Sequence, residues 1–464
     1  MQQVESMYPE LSEAERFPML TPSGRKLLYA MRQHPHAPLW NWPNGEQLDQ
    51  QGLETVSAFA RSLQQSKAWN NERPPDWLED HIAFCQSTVP FYRRRARLGE
   101  AFQEIPTCSR SDLAPKPWDF VPDTAPLDQV IVFSSSGTTG HPTRTPHHPA
   151  SAASGIPLLE HALRTRLGIE LLRGTDHVAI TNVAAYPGAF TTAIVVAFLQ
   201  EAGCVRVNLD PSAWRNASDC ERFINHWKAP IWLGDPIAFG AMQRLSLDHR
   251  PQAILSSIMH MTEGFQRKLE SDFGCPVLDL YAMTEAGIIA VRNEHGHQVL
   301  PNDLHVEVLA PDGSTCPLGV RGEITLTGGR NPFLPLLRYR TSDFAALQII
   351  DGERILVGLE GRAPIEYPTR SGRIIHSMQV TRIMRQFPVF HYQLKPPPGI
   401  EITSPIDPLP PNTHGDTKAA QRFDEKSQKG YVMEYRGDID TDQLRQALSD
   451  LFGEPVAVQS IHAS

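Results

Sequence analysis

The 464-residue sequence contains no run of about 18 apolar residues, and so predicts no transmembrane helix. It has no basic excess. Its 43 Lys and Arg stand against 52 Asp and Glu, a net charge of −9, which argues against a general nucleic-acid binder. The six cysteines (Cys85, Cys108, Cys204, Cys220, Cys275, Cys316) form no CxxC pair, so neither a zinc knuckle nor a disulfide framework is expected. Residues 1–15 are acidic and polar and lack the basic and apolar stretches of a signal peptide. Together these absences predict a cytoplasmic protein with reduced thiols, without membrane or nucleic-acid partners. The GxxxxGK[ST] spacing of a Walker A loop is also missing. What remains is an ordinary globular composition, 41% hydrophobic and 20% charged, with 40 prolines placed largely in linkers and turns. The length suits two or three packed units.

Pro35 and Pro38 exclude a helix over residues 34–42. Residues 53–63 read as a short helix, with Leu53, Val56, Phe59, Ala60 and Leu63 at helical spacing. Asn70-Asn71-Glu72-Arg73-Pro74-Pro75 marks a boundary, and 76–98 reads as helical with a break near Pro90. Beyond it, strands are expected over 130–133, 178–181, 204–209, 230–233, 253–258 and 277–280, and helices over 191–201, 221–228, 236–245 and 264–273. This alternation predicts an α/β fold whose large N-terminal domain holds mostly parallel sheets. A β-rich subdomain follows, with 305–309 and 323–327 in a hairpin region about Pro311-Asp312-Gly313. A small α+β C-terminal lid domain is expected last. It would contain helices over 380–387 and 441–452, with Asp440 or Thr441 as N-cap of the second, and strands over 391–394, 431–435 and 456–461. The polar stretch 395–430 reads as a disordered loop. The expected division is an extension over 1–75, a large domain over 76–361 and a short lid over 362–464.

The strongest chemical signal is Ser134-Ser135-Ser136-Gly137-Thr138-Thr139-Gly140-His141-Pro142-Thr143-Arg144. A polyphosphate needs backbone N–H groups that can approach closely, hydroxyl donors and a cation. Ser135, Ser136, Gly137, Thr138, Thr139 and Gly140 offer the first two, and Arg144 the third. The plain alternative is a flexible linker, but an apolar strand leads straight into the loop. The loop resembles the Ser/Thr-Ser-Gly-Thr-Thr-Gly-x-Pro signature of the adenylate-forming superfamily of acyl- and aryl-CoA ligases. Three further segments match that superfamily in order. Tyr281-Ala282-Met283-Thr284-Glu285 resembles its Tyr-x-x-Ser/Thr-Glu motif, Arg338-Tyr339-Arg340-Thr341-Ser342-Asp343 its Arg-Tyr-Arg-Thr-x-Asp motif, and Gly361-Arg362 the pair before its hinge. Val89-Pro90-Phe91-Tyr92-Arg93, and Gly372-Arg373-Ile374-Ile375 with Ser377, Met378 and Gln379, are similar to the phenylacetate-CoA ligase branch. The resemblance covers roughly residues 76–462 and leaves 1–75 outside.

The resemblance implies ATP and Mg²⁺, with CoA as a further substrate. Tyr281 would stack on adenine, Thr284 would meet phosphate, Glu285 would hold Mg²⁺, and Asp343 would accept from both ribose hydroxyls. Arg362 would lie at the hinge on which the lid swings. Arg144, Thr284 and Glu285 are the catalytic candidates. Taken singly, Tyr281 reads equally well as a core aromatic, Asp343 as a turn residue, and Arg338 and Arg340 as solvated or paired charges. Their order along the chain favours the nucleotide reading. Tyr186 and Phe190, or His260, are the substrate candidates, although the first two read equally well as core and His260 as a packed histidine. His34, His36, His147 and His148 are not spaced with other ligands, so no metal beyond Mg²⁺ is expected.

The implied activity activates a small carboxylic acid, preferably an aryl acid, as its adenylate. The acyl group then passes to the thiol of CoA or of a carrier protein. Three departures qualify this. No Lys follows Lys429, where the family carries a catalytic one near the C-terminus; Lys418, Lys426 and Lys429 lie in the polar stretch. Ala363-Pro364 stands where a charged hinge residue is expected. Ser257-Ile258-Met259-His260-Met261 replaces a Gly-Ala/Gly-Glu segment bordering the acyl pocket. A degenerate nucleotide-binding or scaffold module therefore stays open, as does a split enzyme whose partner docks on residues 1–75 through Trp40 and Trp42. A dimer is left open as well.

Overall fold

The computed structural model of the chain describes residues 11–42, 45–65, 75–95, 101–134, 143–186, 188–300, 303–361, 366–397 and 430–461. Its centre is a continuous sheet that changes character part-way across. Ala202–Asn208, Val178–Ala184, Ile231–Gly234, Ala253–Ser256 and Val277–Met283 run parallel, in that spatial order. Both faces of this half are covered, so its strands carry apolar runs without alternation; all of Ala253–Ser256 is buried. One face packs Phe223, Phe239 and Phe265 from the helices Asp219–Trp227, Pro236–Met242 and Glu263–Phe273. The other packs Leu158, Leu159 and Leu163 from the helix Gly155–Leu167.

Val277–Met283 turns into an antiparallel hairpin with Gly287–Asn293, and from there the sheet is antiparallel. It continues through Gly296–Val299, Glu353–Gly361, Leu336–Ile350, Arg321–Gly328 and His305–Leu309. The hairpin expected over 305–309 and 323–327 is therefore present, within a larger antiparallel array. A third core, with Cys85 and Tyr92 from the helices Leu78–Thr88 and Pro90–Arg95 and Val89 between them, fills one side of this half.

The helix expected over 191–201 is not formed. Thr192–Val196 is the edge strand, paired antiparallel with Ala202–Asn208. Thr192, Ile194, Val195 and Val196 are β-branched and favour the pleated surface, and Gln200 and Glu201 turn the chain at φ 53° and 64° without a glycine. An exposed edge strand invites foreign pairing. Here the N-terminal segment covers it. Arg32 donates to the Ala193 carbonyl at 3.0 and 3.2 Å, and the Trp42 amide donates to the Thr191 carbonyl at 3.1 Å. Trp40 and Trp42 take part in the chain's own packing: Trp40 lies against Phe223 and Trp42 against Phe190, with ring centres 5.9 and 4.5 Å apart.

Residues 367–397 and 430–458 gather a core of their own, including Tyr431, Leu448 and Phe452. Ser377–Met384, Val389–Lys395, Val432–Gly437, Thr441–Phe452 and Ala457–Ser460 follow the expected helix-strand-strand-helix-strand order. Asp440 caps Thr441–Phe452, which ends on Gly453 in the left-handed region. This unit rests on the parallel half. The Thr262 hydroxyl donates to the Phe387 and Val389 carbonyls at 3.1 and 2.7 Å, and the Gly264 amide donates to Arg385 at 2.8 Å.

Candidate active site

The Thr284-Glu285 segment forms the tip of the hairpin at the carboxyl end of Val277–Met283, the position at which open α/β sheets bind ligands. Opposite it runs Leu336–Ile350, where alternation sorts the second motif into two sets. Arg338 and Arg340 face away and form ion pairs with Glu307 and Glu323. Arg338 is buried and also donates to the carbonyls of Gln103 and Ile105 at 2.6 and 2.9 Å, so it fastens the segment before Cys108–Ser109 to the sheet. Tyr339, Thr341 and Asp343 face the hairpin tip.

The two motifs meet there. The Tyr281 hydroxyl donates to Asp343 at 2.8 Å, across 62 residues of chain, and the Tyr339 hydroxyl donates to Glu285 at 3.1 Å, across 54. Burial, with the Asp343 carboxylate adding to it, keeps the Tyr281 phenol well above its ordinary range. Burial and the Glu285 carboxylate do the same for Tyr339. Both phenols therefore remain donors at neutral pH. Tyr281 is 8% exposed, so its ring offers little open face. Glu285 is buried, Asp343 half-buried and Thr284 exposed.

A cavity of about 230 Å³ opens beside this group, lined by Thr284, Glu285, His147, Phe133, Arg330 and Asn331 among others. Burial lowers His147 to about 4, with a hydrogen bond to the Thr284 backbone opposing it, so the ring is neutral. Its Nε2 has no partner among the described residues. Arg144 begins the strand Arg144–His147, pairs with Ser134 in the sheet and is exposed. Ser135, Ser136, Gly137, Thr138, Thr139, Gly140 and Arg362 lie outside the described residues, as do Lys418, Lys426 and Lys429. Arg110, which the sequence did not single out, donates to the buried Thr143 at 2.7 Å and so sits at the root of that loop.

A second cavity of about 300 Å³ shares Ala152 and Gly155 with the first and runs under Leu280, Leu233 and Asn182. Ile258 stands at its wall, 70% exposed and held at φ 76°, a strained setting for a β-branched residue. The structure does not bring Tyr186, Phe190 or His260 to the lining of either cavity. Phe190 lies between Trp42 and the Arg206 guanidinium, and Tyr186 bonds to the same Arg206. His260 is pushed down to about 4 by burial, beside Asp279, Arg292 and Arg385. A larger cavity of about 750 Å³, beside the helix Gln50–Gln64, meets the first at Ser151 and Arg330.

Residues 6–331 match the model of the AMP-binding enzyme family. The chain belongs to that family. The match begins at residue 6, and so takes in most of the segment set apart as an extension. A phenylacetate-coenzyme A ligase of Pseudomonas putida is 23% identical over 291 residues, covering 57% of this chain and 64% of that protein. One of Aromatoleum evansii is 24% identical over 259 residues, covering 53% and 56%. The matches therefore span somewhat more than half the length of these relatives, and the resemblance is to the phenylacetate-CoA ligase branch. Among solved structures, a 2-hydroxyisobutyryl-CoA ligase in its postadenylation state superposes with a TM-score of 0.58 at 14% identity, covering 85% of this chain and 93% of that one. Its open conformation gives 0.52. At such identity the likeness concerns the fold alone. No described helix is long and apolar enough to cross a membrane.

Proposed function

We propose that this protein activates a carboxylic acid with ATP and transfers the acyl group to a thiol, with CoA the favoured acceptor and an aryl acid the favoured substrate class. The observation that carries this is the meeting of Tyr281 with Asp343 and of Glu285 with Tyr339 at one strand end, beside a cavity. A nucleotide set there would have Asp343 for its ribose, with Tyr281 holding that carboxylate in place. In this geometry Tyr281 positions Asp343 more than it presents a stacking face. Thr284 is exposed at the tip and free to meet phosphate, and the loop 135–140 with Arg144 would take the remaining oxygens.

Glu285 fits a divalent cation of the Mg²⁺ type, which binds through one or two carboxylates together with phosphate oxygens and waters. It is a carboxylate on the cavity wall, steadied through Oε1 by Tyr339. Such an ion, when bound, supplies charge neutralisation for the leaving pyrophosphate. The acid lies in the second cavity. Its carboxylate oxygen attacks the α-phosphorus, and the bond from that phosphorus to the β-phosphate bridging oxygen breaks. The thiol sulfur then attacks the acyl carbon, AMP departs and the thiol proton passes to solvent. The protein contributes mainly position and charge stabilisation. Apolar walls at Leu233, Leu280 and Ile288 keep water from the adenylate. The larger cavity that meets the first at Ser151 offers the thiol a route. Residues 367–397 and 430–458 act as the lid.

The test is pyrophosphate release from ATP and Mg²⁺ over a panel of aryl and aliphatic acids, each with and without CoA. Release with at least one acid, together with a CoA thioester product, is the expected result. Binding of ATP without release for any acid would make the chain a nucleotide-binding module instead.

A further inference from the structure

The hairpin between Val277–Met283 and Gly287–Asn293 turns through Thr284, Glu285 and Ala286. The Tyr339 hydroxyl holds the Glu285 side chain. A separate group holds the backbone just after it. Arg330 donates through Nη1 to the Ala286 carbonyl at 3.0 Å and to the Ile288 carbonyl. Between those residues Gly287 turns the chain at φ 67°, with Arg330 against the side where a Cβ would stand. The strand ladder shifts register just beyond, between Ile288 and Ala290. Cross-strand pairing is therefore disrupted close to where Arg330 binds.

The other donors of Arg330 fix its own direction. Nε and Nη2 donate to the two oxygens of Asp303, each at 2.6 Å, a fork-to-fork pair with one planar orientation. The Arg330 side chain is 6% exposed. Its neighbour Asn331 donates to the Pro146 carbonyl at 2.8 Å, which ties the same segment to the strand that carries Arg144. Arg330 lines both the cavity at the tip and the larger one, and so stands where they meet. Asp303 already matches its charge, so Arg330 has little to offer a further anion. What it can supply is position. A carboxylate that is to hold a cation must be kept within about 0.5 Å of its working place by the groups around it.

We propose that Arg330 is a positioning residue for the reaction. It fixes the backbone of the tip, in a plane set by Asp303, so that Glu285 is held at the wall of the nucleotide cavity. This rests on the reading above of Glu285 as the residue that holds Mg²⁺.

The experiment uses two variants of the full chain. Arg330→Met alone would strand the Asp303 carboxylate, so Arg330→Met is combined with Asp303→Asn. Arg330→Lys is the conservative variant. Two quantities are read: amide hydrogen exchange of residues 284–288, and the Mg²⁺ concentration that gives half-maximal pyrophosphate release. In the paired variant, exchange should quicken at 284–288 and not elsewhere. The Mg²⁺ requirement should rise roughly tenfold to a hundredfold, the usual cost of losing a group that orients a metal ligand. Arg330→Lys, which can keep the ion pair and one carbonyl, should fall between. Unchanged exchange would overturn the proposal. So would faster exchange with an unchanged Mg²⁺ requirement, which would make the contact structural only. If the paired variant loses cooperative melting, Arg330→Lys is judged by the same two criteria. Failure of the adenylation reading shows in the unaltered chain instead, as no pyrophosphate release with any acid. The Mg²⁺ dependence of the melting shift caused by ATP then replaces turnover. A higher requirement in the variants supports the role of Arg330, and an equal one rejects it.

Discussion

The hairpin tip at Thr284-Glu285 and the sheet edge at Thr192–Val196 hold their charged groups in opposite ways. At the tip and along the strand that faces it, side chain meets side chain: Tyr281 with Asp343, Tyr339 with Glu285, and, on that strand's other side, Arg338 with Glu307 and Arg340 with Glu323. At the edge, charged side chains are held by backbone from a distant segment. Glu46 accepts from the Ala197 amide at 2.7 Å, Glu201 from the Thr21 amide at 2.7 Å, and Arg32 donates to the Ala193 carbonyl. Paired side chains require particular residue types on both sides and therefore leave motifs. A carboxylate bound to a backbone amide constrains its own type alone, because any residue but proline supplies the other half. The tip is therefore chemically specified, and the edge is specified by shape.

The largest effect should fall at the tip. Glu285→Ala is expected to lower pyrophosphate release by roughly two to three orders of magnitude, the cost of removing a preorganised charge-stabilising group. Its stability should change by only about 1 kcal/mol, for the bond from Tyr339. Retained turnover in this variant would erase the functional half of the comparison.

Arg338→Ala, on the strand facing the tip, should be the most destabilising single change in this region, by about 3–5 kcal/mol in urea unfolding, because it strands the buried Glu307. The double variant Arg338→Met with Glu307→Met should recover most of that loss. If the single variant unfolds like the unaltered chain, the pair is not the clamp described.

At the edge the sharper probe is pH. Burial raises Glu46 from its ordinary 4.5 to about 7, and the bond from the Ala197 amide only partly opposes it. The fold therefore favours the protonated acid. Below pH 4.5 both the folded and the unfolded chain hold the proton, and nothing is lost. As pH rises from 4.5 to about 7 the unfolded chain releases it first, so stability falls, and above 7 the loss is constant. Glu46→Gln should flatten this part of the profile and stabilise the protein above pH 7 by about 3 kcal/mol at most. A variant profile that parallels the original would place the titration elsewhere.

The smallest effect should come from Thr21→Val. It removes the hydroxyl that caps the Gly24 amide at 3.1 Å and bonds to Glu201. A loss of about 1 kcal/mol in thermal unfolding is expected, with adenylation unchanged. A loss of activity instead would mean that the edge and the tip are coupled.

Much of this contrast can be read from the chain. The strand-helix alternation after residue 178, the order of elements in the last unit, and the positions of Glu285 and Asp343 follow from short local patterns. Tyr339 stood inside a recognised motif without a role, because its partner is 54 residues away. Residues 191–201 were misread because Ala, Phe, Leu, Gln and Glu in that stretch suit a helix, while Thr192–Val196 is held as a strand by Ala202–Asn208. Tyr186 and Phe190 were placed at the acyl pocket on local character. The contacts found for them, with Arg206 and, for Phe190, with Trp42, join segments far apart in the chain and carry no local pattern.

The sequence by itself determined which groups the nucleotide reading rests on, because glycines, hydroxyls and carboxylates in fixed order are covalent facts. Only the tertiary structure decided which residues face one another across the sheet. Strand register sets the floor of the second cavity, where Asn182 and Leu233 stand side by side. Register is fixed by packing both faces of the sheet at once, which no local stretch of sequence encodes.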